Sequence, residues 1–260
     1  MAVPVAPAMV KTVTKFGSPV KGLGHRVLLY GPGGIGKTTL ALGTPSPVVF
    51  FDLDESLGRL GVEVPTVNGI EKWAQLRAAL QGSGWDDVKT IVIDTGTRAE
   101  EMAVAHTLET VRHEKGHVCK SIEDYGYGKG YTFVFDTFLQ IMADLDAHAR
   151  AGRNIIIIAH DCTTTVPNPQ SEDWLRYEPR LQSPTSGKAS IRLRLREWCD
   201  HVLFLGYDVV VDKMTGKGKG SGTRTLWRSE LPHCMAKSRT GQDPVAVGND
   251  AAAIWAEIIR

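Results

Sequence analysis

The sequence has no long apolar run and little cysteine. No window of its 260 residues reaches the roughly 18 uninterrupted apolar residues that a membrane-spanning helix requires. Its four cysteines (Cys119, Cys162, Cys199 and Cys234) are far apart without a C-x-x-C pair, which argues against a disulfide framework and favours free thiols. Prolines interrupt the first residues, where a signal peptide would need an apolar core. We therefore expect a soluble, cytoplasmic protein without a membrane partner.

An excess of charge of either sign is also lacking. The chain has 30 basic and 29 acidic residues, so a nucleic acid or an anionic membrane would have to be bound by a local patch. Hydrophobic residues make up 42% of the sequence, enough for the core of one domain with additions. We expect this domain over residues 23–260, after an N-terminal arm over residues 1–22 that is rich in proline, valine and lysine.

Strand and helix patterns alternate up to residue 160. Apolar runs predict strands at 26–30, 46–54, 90–95 and 154–160, and helical spacing predicts helices at 70–81, 98–112 and 131–150. This alternation predicts an α/β fold with a mostly parallel central sheet and helices on both faces. Further strand patterns at 201–212, 223–229 and 233–238 predict antiparallel strands added toward the C-terminus, before a last helix at about 249–259.

The stretch GPGGIGKT, residues 31–38, matches the phosphate-binding pattern G-x-x-x-x-G-K-[ST] between a predicted strand and a predicted helix. Its glycines let successive backbone N–H groups point inward toward an anion. Lys37 supplies a positive charge for the β- and γ-phosphates, and the Thr38 hydroxyl can ligate Mg²⁺. The predicted cofactors are ATP and Mg²⁺, and the predicted binding residues are Gly31, Pro32, Gly33, Gly34, Ile35, Gly36, Lys37, Thr38 and Thr39.

Acidic residues follow two of the predicted strands. Asp94 ends TIVID (residues 90–94) and is predicted to hold Mg²⁺ together with Thr38. FFDLDESL (residues 50–57) places Asp54 and Glu55 at the carboxyl end of a strand, where an open α/β sheet binds its ligand. One of these two is predicted to activate the attacking water, and the sequence alone does not separate them.

These motifs, together with YGYGKGY (125–131), NIIIIAH (154–160) and AKSRTG (236–241), resemble the RecA-like ATPases. The resemblance extends from about Gly24 to Gln242. More narrowly, the chain is similar to compact phage-encoded RecA-like proteins associated with single-strand annealing and recombination. This resemblance implies an ATPase that acts on single-stranded DNA as a homo-oligomeric ring or filament in a bacterial cytoplasm. It allows a single-strand DNA-binding protein as a further partner.

The resemblance also implies roles for individual residues. His160 falls where such proteins carry a residue that senses the γ-phosphate. Lys237 and Arg239 resemble a K-x-R pair that reaches the ATP of a neighbouring subunit, where two cations neutralise charge on the phosphoryl group. The water-activating glutamate of these relatives corresponds in position to Asp54, with Glu55 one residue later.

Two loops hold DNA in the RecA-like family. Residues 161–190 show little periodicity and are predicted as the second loop, within a DNA-binding region that extends to residue 196. Aromatic and basic side chains are interleaved in this region, as in sites that bind single strands. The predicted DNA contacts are Lys129 and Tyr131 from the first loop, and Trp174, Arg176, Tyr177, Arg180, Lys188 and Arg192 from the second region. Because arginines and leucines alternate over residues 192–196, this part also fits the exposed face of an edge strand.

Two other functions are compatible with the phosphate-binding motif. GGIGKTT also occurs in nucleotide switches of the partition class, but those proteins carry a lysine near the start of the loop, where this chain has Pro32. A small-molecule kinase would use Lys37 and the 161–190 segment as a lid. The kinase predicts phosphoryl transfer to an acceptor, whereas the recombinase predicts hydrolysis stimulated by single-stranded DNA.

Overall fold

The computed structural model describes residues 17–18, 20–185, 188–211 and 218–259, so most of the predicted arm over residues 1–22 lies outside the described residues. The strands are β1 Arg26–Gly31, β2 Val48–Asp52, β3 Thr90–Asp94, β4 Asn154–Val166, β5 Trp174–Pro179, β6 His201–Val211, β7 Gly218–Trp227 and β8 Val245–Ala246. The helices are α1 Lys37–Ala41, α2 Leu57–Leu60, α3 Trp73–Gln81, α4 Gly96–Thr110, α5 Lys129–Arg150, α6 Ile191–Trp198 and α7 Ala251–Ile258, with a 3₁₀ turn at Glu123–Tyr125.

All eight strands belong to one sheet, in the order β2-β3-β4-β1-β6-β7-β8, with β5 paired to β4. The pairs from β2 to β6 are parallel, while β6, β7 and β8 pair with one another antiparallel. The predicted α/β fold, with a parallel centre and antiparallel strands toward the C-terminus, is confirmed. Because β4 lies between β1 and β3, residues at the carboxyl ends of these strands meet at one edge of the sheet.

Helices cover both faces of the sheet, as predicted. Helices α3, α4, α5 and α6 pack on one face, and α1 and α7 on the other. Within β4, Ile155 and Ile157 join the first core while Ile156 and Ile158 join the second, which explains why residues 155–159 of this strand are an unbroken apolar run. None of the helices in the described part of the chain combines the length and the apolar character needed to cross a bilayer.

Residues 161–179 form a β-hairpin, so the prediction of a loop over 161–190 is wrong at its two strands, residues 161–166 and 174–179. Strand β4 continues through Val166 and returns antiparallel as β5, with Cys162 opposite Glu178 and Thr164 opposite Arg176. The run Thr163–Thr165 consists of β-branched residues that favour a strand but lack an apolar alternation. We call residues 161–179 the β4–β5 hairpin.

Two smaller predictions of secondary structure are also corrected. The arginine–leucine stretch is helix α6 and not an edge strand, because the Ser190 side chain caps the helix by accepting from the Leu193 amide, and Leu195 is buried. Residues 233–238, predicted as a strand, make only isolated bridges, such as the one between Lys237 and Val202. Strand β8 pairs with β7 instead.

Candidate functional site

The phosphate-binding loop, residues 31–38, joins the end of β1 to the start of α1. Gly36, which precedes α1, has a φ of 101°, a conformation that L-residues with side chains rarely adopt. A Cβ on Gly31 would lie 2.2 Å from the carbonyl oxygen of Leu205 on β6. Both positions therefore require glycine for physical reasons. A Cβ built on Gly33 or Gly34 would meet nothing within 4 Å, so the rest of the chain does not cover the middle of the loop.

Lys37 lies inside this loop and is only 6% exposed. Its Nζ donates to the carbonyl oxygens of Gly31 and Pro32, both at 2.8 Å. Burial lowers the pKa of Lys37, while the nearby carboxylates of Asp161 and Asp94 act in the opposite direction. The ammonium group is thus held by two neutral acceptors, which phosphate oxygens can replace with stronger, charge-assisted hydrogen bonds.

Thr38 and Asp94 form a hydroxyl–carboxylate pair beside the loop. Thr38 Oγ1 donates to Asp94 Oδ2 at 2.7 Å, and Asp94, the last residue of β3, is 2% exposed. Burial raises the pKa of Asp94 to about 6, with Asp54 adding to the increase and the Thr38 hydrogen bond opposing it. Oxygen donors of these two kinds are those that Mg²⁺ prefers, so the pair fits the metal of a magnesium nucleotide.

Asp54 and His160 face each other across the same cleft, with Asp54 Oδ2 at 4.0 Å from His160 Nε2. Burial lowers the pKa of His160, and the positive charges of Lys37 and Arg180 lower it further, so the imidazole is mostly neutral at pH 7. The cleft has a volume of about 560 Å³, and its lining includes Lys37, Thr38, Asp54, Asp94 and His160. We call it the P-loop cleft.

The two acidic candidates for water activation are not equivalent in the structure. Asp54 lines the P-loop cleft, and Glu55, exposed and with a φ of 52°, does not. The preceding carboxylate, Asp52, has a structural role, since it accepts from the amides of Ser56 and Leu57 at the start of α2, both at 2.9 Å. The geometry therefore favours Asp54 of the two predicted residues.

Lys237 and Arg239 do not lie at the P-loop cleft of their own chain. Lys237 is bridged to Val202 at the start of β6 and its Nζ donates to the Arg196 carbonyl at 2.6 Å. Arg239 forms an ion pair with Asp200 at 2.9 Å. Because β6 runs parallel to β1, these two residues lie at the amino end of the sheet, opposite the loop.

Arg176 and Arg192 were predicted to contact DNA, and the structure contradicts this, because both side chains are buried. Arg176 Nη2 lies 2.7 Å from Glu178 Oε1, and Arg192 pairs with the other oxygen of the same carboxylate. Arg176 also pairs with Glu230 at 2.7 Å. Burial and these ion pairs remove both guanidinium groups from solvent, so they fix the base of the β4–β5 hairpin instead. We call Arg176, Glu178 and Arg192 the ion cluster.

The other residues predicted to contact DNA in the second region are accessible. Trp174 and Tyr177, on β5, are 38% and 39% exposed. Arg180 is exposed directly after the hairpin, and Lys188 is exposed in the turn before α6. The predicted aromatic and basic surface is thus reduced to these four side chains.

The predicted residues of the first loop lie in the first turn of α5. Lys129 is exposed and its Nζ pairs with Glu114 at 2.6 Å. The Tyr131 hydroxyl donates to Glu123 at 3.1 Å, while the Tyr131 carbonyl accepts from Gln182 at 2.8 Å. Gln182 follows the hairpin by three residues, so the two predicted regions are neighbours in space.

Two arginines near the phosphate-binding loop were missed by sequence reasoning. Arg224 on β7 donates from Nη1 to the carbonyl of Ile35 at 2.8 Å and so supports the loop from the side. Arg59 on α2 lines the P-loop cleft. Arg224 is separated from Ile35 by 189 residues, and only the pairing of β7 with β6 brings it there, so no local signal could have found it.

The fold is that of a RecA-like P-loop NTPase, because β4 separates the strand before the phosphate-binding loop from the strand that ends in Asp94. A family model described as an AAA domain matches residues 23–240, and the chain belongs to this AAA_24 family. No curated protein matches the chain.

Two solved structures are similar to the chain over most of its length. The RadB recombinase has 14% sequence identity and a TM-score of 0.37, and the match covers 79% of this chain and 80% of that protein. A KaiC-like protein from the hyperthermophilic archaeon Pyrococcus horikoshii has 14% identity and a TM-score of 0.41, with 88% of each chain covered. The family membership rests on the match of residues 23–240.

Replacing Asp94 by asparagine is expected to stabilise the nucleotide-free protein while weakening binding of magnesium nucleotide. The pKa of Asp94 in the folded state is about 6, above the ordinary value of 3.8. The contribution of Asp94 to folding stability is therefore fully present below pH 3.8, where the carboxyl group is protonated, and is lost as the pH rises through 6. Asparagine does not ionise, and it can still accept from Thr38. Above pH 6, urea denaturation should therefore show a gain of about 1–3 kcal/mol.

The matched control is Asp87→Asn at an exposed position, which should show no such gain. The gain from Asp94→Asn should shrink as the pH is lowered from 8 to 5. Calorimetry with magnesium ATP should show weaker binding to this variant alone. A loss of stability at pH 8 would contradict the role of buried charge at Asp94.

Proposed function

We propose that the protein binds and hydrolyses ATP with Mg²⁺ and acts on single-stranded DNA in recombination, annealing or replication. One observation supports the connection best: strand β4 reaches the P-loop cleft and also pairs with β5, the strand that carries the exposed aromatic residues. His160 lies on β4 at the cleft, and the same strand continues through Val166 into the β4–β5 hairpin. Where the hairpin returns, the Arg180 amide donates to the His160 carbonyl at 2.8 Å.

Each residue of the P-loop cleft has a distinct role in this proposal. Lys37 binds the phosphate oxygens, and Thr38 with Asp94 holds the metal ion. Bound magnesium nucleotide supplies the phosphoryl group, and Mg²⁺ neutralises its charge. Asp54 orients and deprotonates the attacking water from the opposite wall. His160, neutral at pH 7 and 4.0 Å from Asp54, donates an N–H to the terminal phosphate and responds to its presence.

Binding of a single strand is proposed for the β4–β5 hairpin and its flanks. Trp174 and Tyr177 provide exposed rings on which bases can stack, and Arg180 and Lys188 provide exposed cations for phosphates. Lys129, already paired with Glu114, is proposed as a secondary contact together with the neighbouring Tyr131. The ion cluster joins the base of the hairpin to helix α6, which suits a binding platform better than the mobile lid that a kinase requires.

Lys237 and Arg239 support the proposal of a homo-oligomeric ring or filament. They lie at the end of the sheet opposite their own loop, and Arg239 has a side chain that is 64% exposed. We propose that this end of one copy faces the P-loop cleft of the next. The two cations then stabilise the charge that develops on a neighbour's phosphoryl group. A single-strand DNA-binding protein is a further partner of such an assembly.

The test is the steady-state rate of ATP hydrolysis with and without single-stranded DNA. We expect DNA to stimulate the parent protein, and Trp174→Ala to lose most of this stimulation while keeping the basal rate. Arg239→Ala should still bind ATP and lose the stimulated rate. Val118→Ala, an exposed apolar residue outside the hairpin, is the matched control and should behave as the parent. Equal rates with and without DNA in the parent would contradict the proposal, and acceptor-dependent phosphoryl transfer would favour the kinase.

A further inference from the structure

A second cleft, of about 470 Å³, lies beside the phosphate-binding loop, between the β4–β5 hairpin and the paired strands β6 and β7. Its lining includes Pro32, Tyr177, Phe204, Asp208, Trp227 and His233. None of these side chains takes part in the proposed hydrolysis. We call this space the aromatic cleft.

The rings of the aromatic cleft are arranged as a preformed stacking surface. Tyr177 and Phe204 are stacked, with ring centroids 5.0 Å apart and planes 17° apart. Trp227 and His233 meet edge to face, with centroids 4.9 Å apart and planes at 82°. Edge-to-face and offset-stacked pairs are the favoured geometries of aromatic rings. A wall of four rings in these arrangements is suited to a flat aromatic ligand.

The position of this surface is fixed by the surrounding chain. The hydroxyl of buried Tyr30 lies 2.7 Å from the Met235 carbonyl oxygen and 3.0 Å from the Tyr177 carbonyl oxygen, and these two acceptors share its single proton. A Cβ on Gly206 would lie 2.8 Å from the Phe204 ring, so this ring lies flat along β6 only because residue 206 is glycine. Binding a ligand here therefore requires little reorganisation of the backbone.

The charge of the lining indicates which chemistry the ligand has. Neither lysine nor arginine belongs to the described lining, so phosphate groups have no cation to bind inside the cleft. Burial lowers the pKa of His233, so its ring is neutral at pH 7. Among the described residues of the lining, Asp208 is the only carboxylate. It accepts from the Thr223 hydroxyl and has further lone pairs for N–H donors.

We propose that the aromatic cleft binds one unpaired nucleobase of a single strand, stacked on the Tyr177–Phe204 surface with its amino edge toward Asp208. This inference rests on the proposed function and specifies how the strand is held. The volume lies within the range of about 300–1,000 Å³ that is usual for small-ligand sites. A carboxylate accepts from the exocyclic amino group of cytosine, and adenine and guanine also carry such groups, so these bases should be preferred over thymine.

The aromatic cleft also shares a residue with the nucleotide site. Pro32 lines the aromatic cleft, and its carbonyl accepts from Lys37 Nζ at 2.8 Å. Phosphates that bind Lys37 compete with the Pro32 carbonyl for the ammonium group. Nucleotide binding therefore changes the contacts of a residue that lines the aromatic cleft. By thermodynamic reciprocity, base and nucleotide are then expected to change each other's affinity by the same factor.

The test compares the binding of a short oligodeoxycytidylate and an oligothymidylate of equal length, measured by fluorescence anisotropy. Tyr177→Leu, which removes the stacking ring, should weaken both oligonucleotides by about tenfold. Asp208→Ala should weaken only the cytidylate and so abolish the preference for it. Leu175→Ala, a 67% exposed residue on the same strand, is the matched control and should bind as the parent.

Two outcomes would overturn the inference, and they separate it from the proposed function. If Tyr177→Leu and Asp208→Ala bind oligonucleotides as the parent does while Trp174→Ala binds more weakly, the aromatic cleft is not the base site. The proposed action on DNA would still stand. If no oligonucleotide binds, free deoxycytidine and thymidine are tested by saturation-transfer NMR with magnesium AMP-PNP filling the P-loop cleft. A deoxycytidine signal that Tyr177→Leu abolishes supports a nucleobase site without DNA, and its absence overturns both proposals.

Discussion

Replacing Lys37 by alanine is expected to abolish ATP turnover, with a loss of at least about a hundredfold in the hydrolysis rate. Its ammonium group is the one that the phosphate-binding loop surrounds, and it donates to the carbonyls of Gly31 and Pro32. No other lysine belongs to the described lining of the P-loop cleft, so none can take over its charge. Steady-state hydrolysis and calorimetry with magnesium ATP measure the loss of turnover and of binding.

The control for this variant is Lys115→Ala, which removes an exposed lysine far along the chain and should leave turnover unchanged. Lys37→Arg should not restore activity, because a planar guanidinium cannot replace a compact ammonium group inside a closely fitting loop. Retained hydrolysis in a folded Lys37→Ala protein, with or without DNA, would show that the phosphate groups bind elsewhere.

Replacing Glu178 by glutamine is expected to destabilise the fold by about 3–5 kcal/mol. Glu178 is the carboxylate that both Arg176 and Arg192 contact, and all three side chains are buried. Without its charge, two guanidinium groups remain in the interior, and of the two only Arg176 retains an ion pair within the described part of the chain, with Glu230. Thermal unfolding should show a midpoint lower by roughly 6–20 °C, at about 2–4 °C for each kcal/mol.

The matched control is Glu197→Gln, which breaks an exposed ion pair with Arg194 at 3.7 Å and should cost at most about 1 kcal/mol. If uncompensated charge causes the loss, adding Arg192→Met to Glu178→Gln should recover part of the stability. Equal midpoints for Glu178→Gln and Glu197→Gln would show that the ion cluster does not hold the base of the hairpin.

The central sheet could be predicted because burial on both faces leaves a clear mark in the sequence. The isoleucines of β4 point alternately into two cores, so residues 155–158 are all apolar. The loop after β1 and the aspartate that ends β3 were also predictable, because each is recognised from a short continuous stretch of sequence. Their closeness, 2.7 Å between Thr38 and Asp94, follows from strand order, which the sequence pattern did not reveal.

The β4–β5 hairpin and α6 could not be read from periodicity. A two-stranded ribbon that projects from the sheet has no continuous buried face, so Thr163–Thr165 show no apolar alternation. In α6 the alternation of arginine and leucine favours a strand, but the Ser190 cap and the burial of Ile191 and Leu195, four residues apart, stabilise a helix. Tertiary burial decided the outcome at both places, and it also placed Arg176 and Arg192 in the interior.

The ion cluster divides the hairpin into an inner part that is packed against the rest of the chain and an outer part that is mostly exposed. Below it, the chain is tied to the sheet through the Arg180 amide and the His160 carbonyl. Beyond Thr164 and Arg176, the two arms of the ribbon contact little besides each other and solvent, up to the turn at residues 167–173. We therefore expect that this outer part, which carries Trp174, can be shortened or extended without disturbing the P-loop cleft.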